Sequence, residues 1–208
     1  MKALLLNGSP NARGCTYTAL SEVEKTLNQN GVETEILQLG KGAIRGCIGC
    51  GACRGKGRCA FGAEDGVNRA LEKLETAGAL IIGSPVYYAS PNGALIAFLD
   101  RLFFTGPDVA GKVGAAVVSA RRAGTTAALD VLNKYFLISG MPIAPSQYWN
   151  MVHGNTPAEV AQDLEGLQIM RRLGENVAYM MKCFEAGRVA GVALPPAEPA
   201  RMRTNFIR

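Results

Sequence analysis

The feature that most restricts the fold of this 208-residue chain is the unbroken apolar run Leu4-Leu5-Leu6, which passes directly into Asn7-Gly8-Ser9-Pro10 and then into a helix-like segment at Thr16. A strand covered on one face alternates apolar and polar residues, whereas one covered on both faces does not. The run therefore reads as a central parallel strand with helices on each side. Parallel neighbours need long crossovers, so the rest of the chain must alternate helix and strand. Residues 79–83 repeat the signature, and Gly83-Ser84-Pro85 closes the second buried run as Gly8-Ser9-Pro10 closes the first.

The remaining pattern meets that requirement. Residues 3–7 are strand one, and Thr16 to Asn28 a first helix. Gly31 stops that helix before an alternating strand over 32–39, nearer a sheet edge. A second helix spans 66–77 with Asp65 as its N-cap, and strand three covers 79–83. A helix from Asn92 to Phe104, a strand from Lys112 to Ser119 and a helix from Thr125 to Ser139 follow. A fifth strand is expected from Pro142 to Trp149, and one long last helix from Pro157 to Phe184, capped by Thr156. Five strands alternating with five helices predict an open, doubly wound α/β sheet. Residues 1–186 form one domain, with a glycine- and cysteine-rich loop over 40–62. Residues 187–208 form an aperiodic tail.

Composition narrows the function. The chain is 48% apolar and 19% charged, as ordinary globular proteins are. No apolar run approaches the roughly 18 residues of a membrane span. Met1-Lys2 leads straight into a core strand, so no signal peptide and a cytoplasmic location are expected. The charge of +5 is spread along the chain, which argues against nucleic acid and suits either simple solubility or attraction of an anionic ligand. With one histidine and neither G-x-S-x-G nor G-x-x-x-x-G-K-[ST], Ser–His hydrolysis and P-loop phosphotransfer are set aside.

Ligands of doubly wound sheets sit at the carboxyl ends of strands, where strand order reverses. The first such loop brings Ser9, Asn11, Arg13 and Thr16 to a helix start, where free N–H groups and the helix dipole favour phosphate. The second, Pro85-Val86-Tyr87-Tyr88, offers amides and aromatic surface to a flat ring. The third, from Ser119 through Arg121, follows strand four and closes around the polar edge of that ring. Turns of this kind favour Gly, Ser and Pro in any α/β protein. Three at consecutive strand ends, with tyrosines on the middle one, point to a flavin.

Cys47, Cys50, Cys53 and Cys59 form C-x2-C-x2-C-x5-C in the glycine-rich loop. Four thiolates this close can hold one [4Fe–4S] cube. Zinc, one or two disulfides, and an empty loop are the competing outcomes. Cys183 reads as a small core residue, His153 as a structural loop histidine, and Asp100-Arg101 as a surface or interface ion pair.

Together Gly8-Ser9-Pro10…Gly14-Cys15-Thr16, the cysteine loop, Gly83-Ser84-Pro85-Val86-Tyr87-Tyr88 and Phe98-Leu99-Asp100-Arg101-Leu102 resemble the NADPH-dependent FMN reductase family, nearest its iron–sulfur flavoprotein branch, over roughly residues 1–150. The resemblance implies a flavodoxin-like three-layer α/β/α sandwich whose five-stranded parallel sheet has the order 2-1-3-4-5. It places the FMN phosphate at Ser9, Asn11, Cys15 and Thr16, the isoalloxazine along Pro85 to Tyr88, and the loop after Ser119 on the pyrimidine side. Cys15 stands where the family has asparagine, and a thiol is the poorer donor. The implied activity is hydride transfer from NAD(P)H to FMN and onward transfer to a quinone, flavin, protein or iron–sulfur acceptor. A non-enzymatic electron carrier is the alternative. The apolar helix over 92–104 implies a homodimer or homotetramer.

Overall fold

In the computed structural model, residues 1–196 and 204 are described. Strand β1 (Lys2–Asn7) is buried from Ala3 onward and leads through the first loop into helix α1 (Cys15–Gln29). Strand β2 (Glu33–Gln38) alternates burial as an edge strand does. After the cysteine-rich loop come α2 (Val67–Thr76), β3 (Ala79–Tyr87) and a two-residue strand β4 (Ser90–Pro91) that folds back on β3. Then follow α3 (Gly93–Phe104), β5 (Val113–Ala120), α4 (Thr125–Ile138), β6 (Met151–His153), α5 (Pro157–Val160) and α6 (Leu164–Val189).

The parallel sheet runs β2-β1-β3-β5-β6, which is the expected 2-1-3-4-5 order once β4 is set aside as a hairpin on β3. Strand residues alternate between its two faces. Leu4, Leu6, Leu80, Ile82, Ala116 and Val118 pack under α2, α3 and α4. Ala3, Leu5, Ala79, Ile81, Ala115 and Val117 pack under α1 and α6. Each fully buried leucine or isoleucine contributes about 1.5–3 kcal/mol, so both faces are needed to hold the sandwich. Among the described residues no helix is long and apolar enough to cross a membrane.

Several expectations need correction. The fifth strand is Met151–His153, not Pro142–Trp149; within the expected segment only Ile143 bridges the sheet, opposite Gly114. The last helix is two helices. Asp163 accepts from Gly166 N at 2.9 Å and from His153 N at 2.7 Å, so it starts α6 and ties it to β6. The cap of α2 is Gly66 in the left-handed region rather than Asp65, whose Oδ2 is held by Arg101 while its Oδ1 accepts only a long 3.5 Å bond from Val67 N. Thr156 does cap α5, accepting from Glu159 N at 3.2 Å. Helix α6 runs on to Val189, and Cys183 is exposed on it rather than in the core. The first three residues of the expected tail, 187–189, belong to α6, and half of the tail, residues 197–203 and 205–208, lies outside the described residues.

Candidate functional site

Parallel pairing of Asn7 with Gly83 brings the two Gly-Ser-Pro turns side by side at the carboxyl edge of the sheet. Gly8 N donates to Gly83 O at 2.8 Å, and a Cβ on Gly8 would lie 2.5 Å from Leu95 Cδ2. Only glycine allows this approach. Beyond it Asn7 Oδ1 accepts from Ser9 N and Ser9 Oγ accepts from Asn11 N, each at 3.1 Å, curling the loop toward α1. Asn92 fastens the loop from α3: its Nδ2 donates to Gly8 O at 2.7 Å while its Oδ1 accepts from Ala94 N at the helix start. Gly14 caps α1 without a side-chain hydrogen bond, and the first turn carries no acidic residue. The first amides of α1 thus retain their donors for an anion.

The predicted phosphate-side residues separate into two sets. Ser9 and Thr16 are buried, whereas Asn11 and Arg13 are exposed. The Thr16 and Ser119 hydroxyls meet at 2.8 Å, joining the first and third predicted loops. One hydroxyl of such a pair keeps a proton to donate. Cys15 turns toward β6, its Sγ donating to Gly154 O at 3.7 Å, and burial pushes its thiol pKa up. That leaves its backbone amide, rather than its sulfur, at the helix start.

The middle loop is the β3–β4 hairpin. Pro85 and Val86 are half-buried, Tyr87 is exposed, and Tyr88 stands fully exposed at the tip. Tyr88 and Ala89 have φ of 51° and 57°, positions that favour glycine or asparagine in two-residue hairpins. Gly124, at φ 92°, meets this tip: a Cβ there would lie 2.7 Å from Ala89 Cα. The loop carrying exposed Arg121 is thereby packed against the hairpin, with all three predicted loops along one edge.

A second centre lies beside α2 and α3. Cys47, Cys50, Cys53 and Cys59 all line one small cavity together with Arg101 and Phe104. Two of the thiols are anchored to the fold. Cys53 Sγ donates to Phe104 O at 3.8 Å, and Asn68 clamps the Cys59 backbone, donating to its carbonyl at 3.0 Å and accepting from its amide at 2.9 Å. Cys47 and Cys50 are exposed on the outer loop. Arg101 is only 2% exposed, which corrects its reading as a surface pair with Asp100. It bonds Asp65, donates to Arg45 O at 3.1 Å and donates from Nε to Cys59 Sγ at 3.3 Å. Burial opposes its charge; Asp65 and Cys59 outweigh burial and hold its pKa above the usual arginine value. Asp100 instead accepts from Tyr135 Oη at 2.5 Å.

A family model described as NADPH-dependent FMN reductase matches residues 1–156. The chain belongs to the NADPH-dependent FMN reductase family. It is 30% identical to an iron–sulfur flavoprotein of Methanocaldococcus jannaschii, covering 89% of this chain and all of that protein. An iron–sulfur flavoprotein of Archaeoglobus fulgidus is 30% identical over 86% of this chain and 79% of its own length. An NAD(P)H:quinone oxidoreductase from Methanothermobacter marburgensis superposes with a TM-score of 0.64 at 18% identity, over 85% of this chain and 98% of that one. A flavodoxin from the domain Archaea gives 0.60 at 18% identity, over 88% and 99%. These superpositions speak to the fold, which is flavodoxin-like.

The residues present fit both groups the family name and the relatives raise. For FMN, the open amides of α1 suit a phosphate and the hairpin presents aromatic surface beside them. For the cysteines, among the described residues no three His, Cys, Asp or Glu side chains gather closely enough for a single metal ion. What fits a [4Fe–4S] cube is the donor set, four thiols of one loop lining one cavity.

Reasoning from the sequence alone missed Arg101, Asn68 and Asn92. Arg101 sits among Leu99, Leu102 and Phe98 in an apolar helix, and that setting is a signal that its guanidinium is buried and paired. Nothing in the sequence distinguishes Asn68 and Asn92 from surface asparagines.

Proposed function

We propose that this chain is an FMN-dependent NAD(P)H oxidoreductase that passes electrons from a nicotinamide to a quinone, flavin or iron–sulfur acceptor. The observation that carries the reading is the uncapped start of α1 opening beside the tyrosine hairpin. FMN, when bound, supplies the hydride and electron chemistry. The chain supplies placement. Ser9, Asn11, Arg13, Thr16 and the first amides of α1, that of Cys15 included, hold the phosphate. Pro85, Val86, Tyr87 and Tyr88 hold the ring and exclude water from one side of it. Ser119 and Arg121 approach its polar edge, where a guanidinium favours negative charge. No side chain is required as a general acid or base, which agrees with a chain holding one histidine.

The cysteine cavity supports a second reading, an iron–sulfur flavoprotein that carries electrons between partner proteins, with Cys47, Cys50, Cys53 and Cys59 as cluster ligands. A homodimer or homotetramer is proposed with both readings, on the apolar composition of α3. Anaerobic mixing with NADPH and NADH, followed by flavin absorbance, separates the two. Bleaching on the enzyme timescale supports the reductase, whereas reduction only by a ferredoxin-type donor supports the carrier. Protein that shows no saturable binding of FMN sinks both.

A further inference from the structure

Of the five N–H groups of Arg101, Nε is given to Cys59 Sγ, and Nη1 serves both Asp65 and the Arg45 carbonyl. Nη2 is buried and, among the described residues, nothing accepts from it. A buried donor left unpaired is costly, and a leucine or methionine would fill this helix position without that cost. The guanidinium lines the cavity that all four cysteines share, on the side where Cys59 is already clamped by Asn68. An unspent donor on a charged group, fixed in a cavity that four cysteines line, marks a place for another sulfur acceptor.

We infer that Arg101 is a positioning residue for an iron–sulfur cluster held by Cys47, Cys50, Cys53 and Cys59, with Nε fixing the Cys59 sulfur and Nη2 held for a further sulfur of the bound cluster. The inference rests on the cluster reading above and adds a residue and a direction to it. N–H groups directed at cluster sulfurs favour the more negative, reduced cluster and so raise its potential. Asp65, bonded to Nη1, offsets the charge of Arg101, and its own charge lowers the potential.

The test compares anaerobically reconstituted wild-type protein with Arg101→Gln, Arg101→Lys and Asp65→Asn. Iron and sulfide are assayed, and the cluster midpoint is read by EPR-monitored potentiometric titration without any turnover. At a fixed ambient potential, Arg101→Gln lowers the ratio of reduced to oxidised cluster about tenfold, which is about 59 mV for a one-electron couple. Arg101→Lys keeps the charge, loses the fork and falls between the two, while Asp65→Asn shifts the midpoint upward. Should Arg101→Gln fail to retain iron, Arg101→Lys and Asp65→Asn decide the matter by their opposite shifts. A loaded wild-type cluster whose midpoint ignores these substitutions overturns the inference alone. A wild-type chain that takes up no iron overturns the cluster reading as well.

Discussion

The hydroxyls of Thr16 and Ser119 meet at 2.8 Å across 103 residues of sequence, both side chains buried. The contact pins the start of α1 to the end of β5, so the first and third strand-end loops are tied together. Thr16→Val or Ser119→Ala leaves the other hydroxyl buried and unpaired and is expected to cost about 1–3 kcal/mol. The double variant should cost less than the sum of the two. Urea denaturation of the four proteins measures the coupling, and strict additivity would show that the hydroxyls do not depend on each other.

The hairpin tip stores backbone strain. Ala89 sits at φ 57°, and a left-handed residue with a side chain costs about 1–2 kcal/mol. Glycine relieves that strain but gives back roughly 0.5–1 kcal/mol in chain entropy. Ala89→Gly should therefore stabilise the fold slightly, raising Tm by about 1–2 °C. A lower Tm would mean that the Ala89 methyl, packed beside Gly124, is worth more than the strain it brings.

The Tyr135–Asp100 pair predicts how stability changes at high pH. Burial first, and then the hydrogen bond to Asp100, push the Tyr135 phenol pKa well above its ordinary value. The folded state holds this proton more tightly than the unfolded chain does. The stabilisation is complete below the unfolded value near pH 10 and erodes as pH rises beyond it. The stability gap between wild type and Tyr135→Phe should be constant from pH 7 to 9 and narrow above 10. A gap that holds steady through pH 11 rules the assignment out.

Asn92 joins the first loop to α3 through both ends of one amide. Asn92→Ala should cost about 2 kcal/mol, from the lost cap and the unpaired Gly8 carbonyl. Asn92→Ser restores the cap but not the donor to Gly8. It should recover most of the stability while FMN binding stays weakened, as fluorescence titration would show. Recovery of both would remove the loop from the site.

The sheet was legible because Leu4-Leu5-Leu6 and Leu80-Ile81-Ile82 can be buried on both faces in only one kind of sheet. What stayed hidden depends on distant partners. Arg101 was read against Asp100 next to it, yet its partners are Asp65 and Cys59, brought in by the cysteine loop. The fifth strand was placed too early because Pro142 to Trp149 has the residue types of a strand, while the three residues that pair with β5 are too few to show a period. The break between α5 and α6 was masked because Asp163 interrupts an apolar pattern that otherwise continues.

Helix α3 acts as a ruler between the two centres. Its cap, Asn92, grips the first Gly-Ser-Pro turn, and Arg101, nine positions later, grips Cys59; at 1.5 Å per residue the two grips stand about 14 Å apart along the axis. A regular helix neither stretches nor shortens under thermal motion as a loop would. Any redox groups seated at these grips are therefore spaced by a rigid rod.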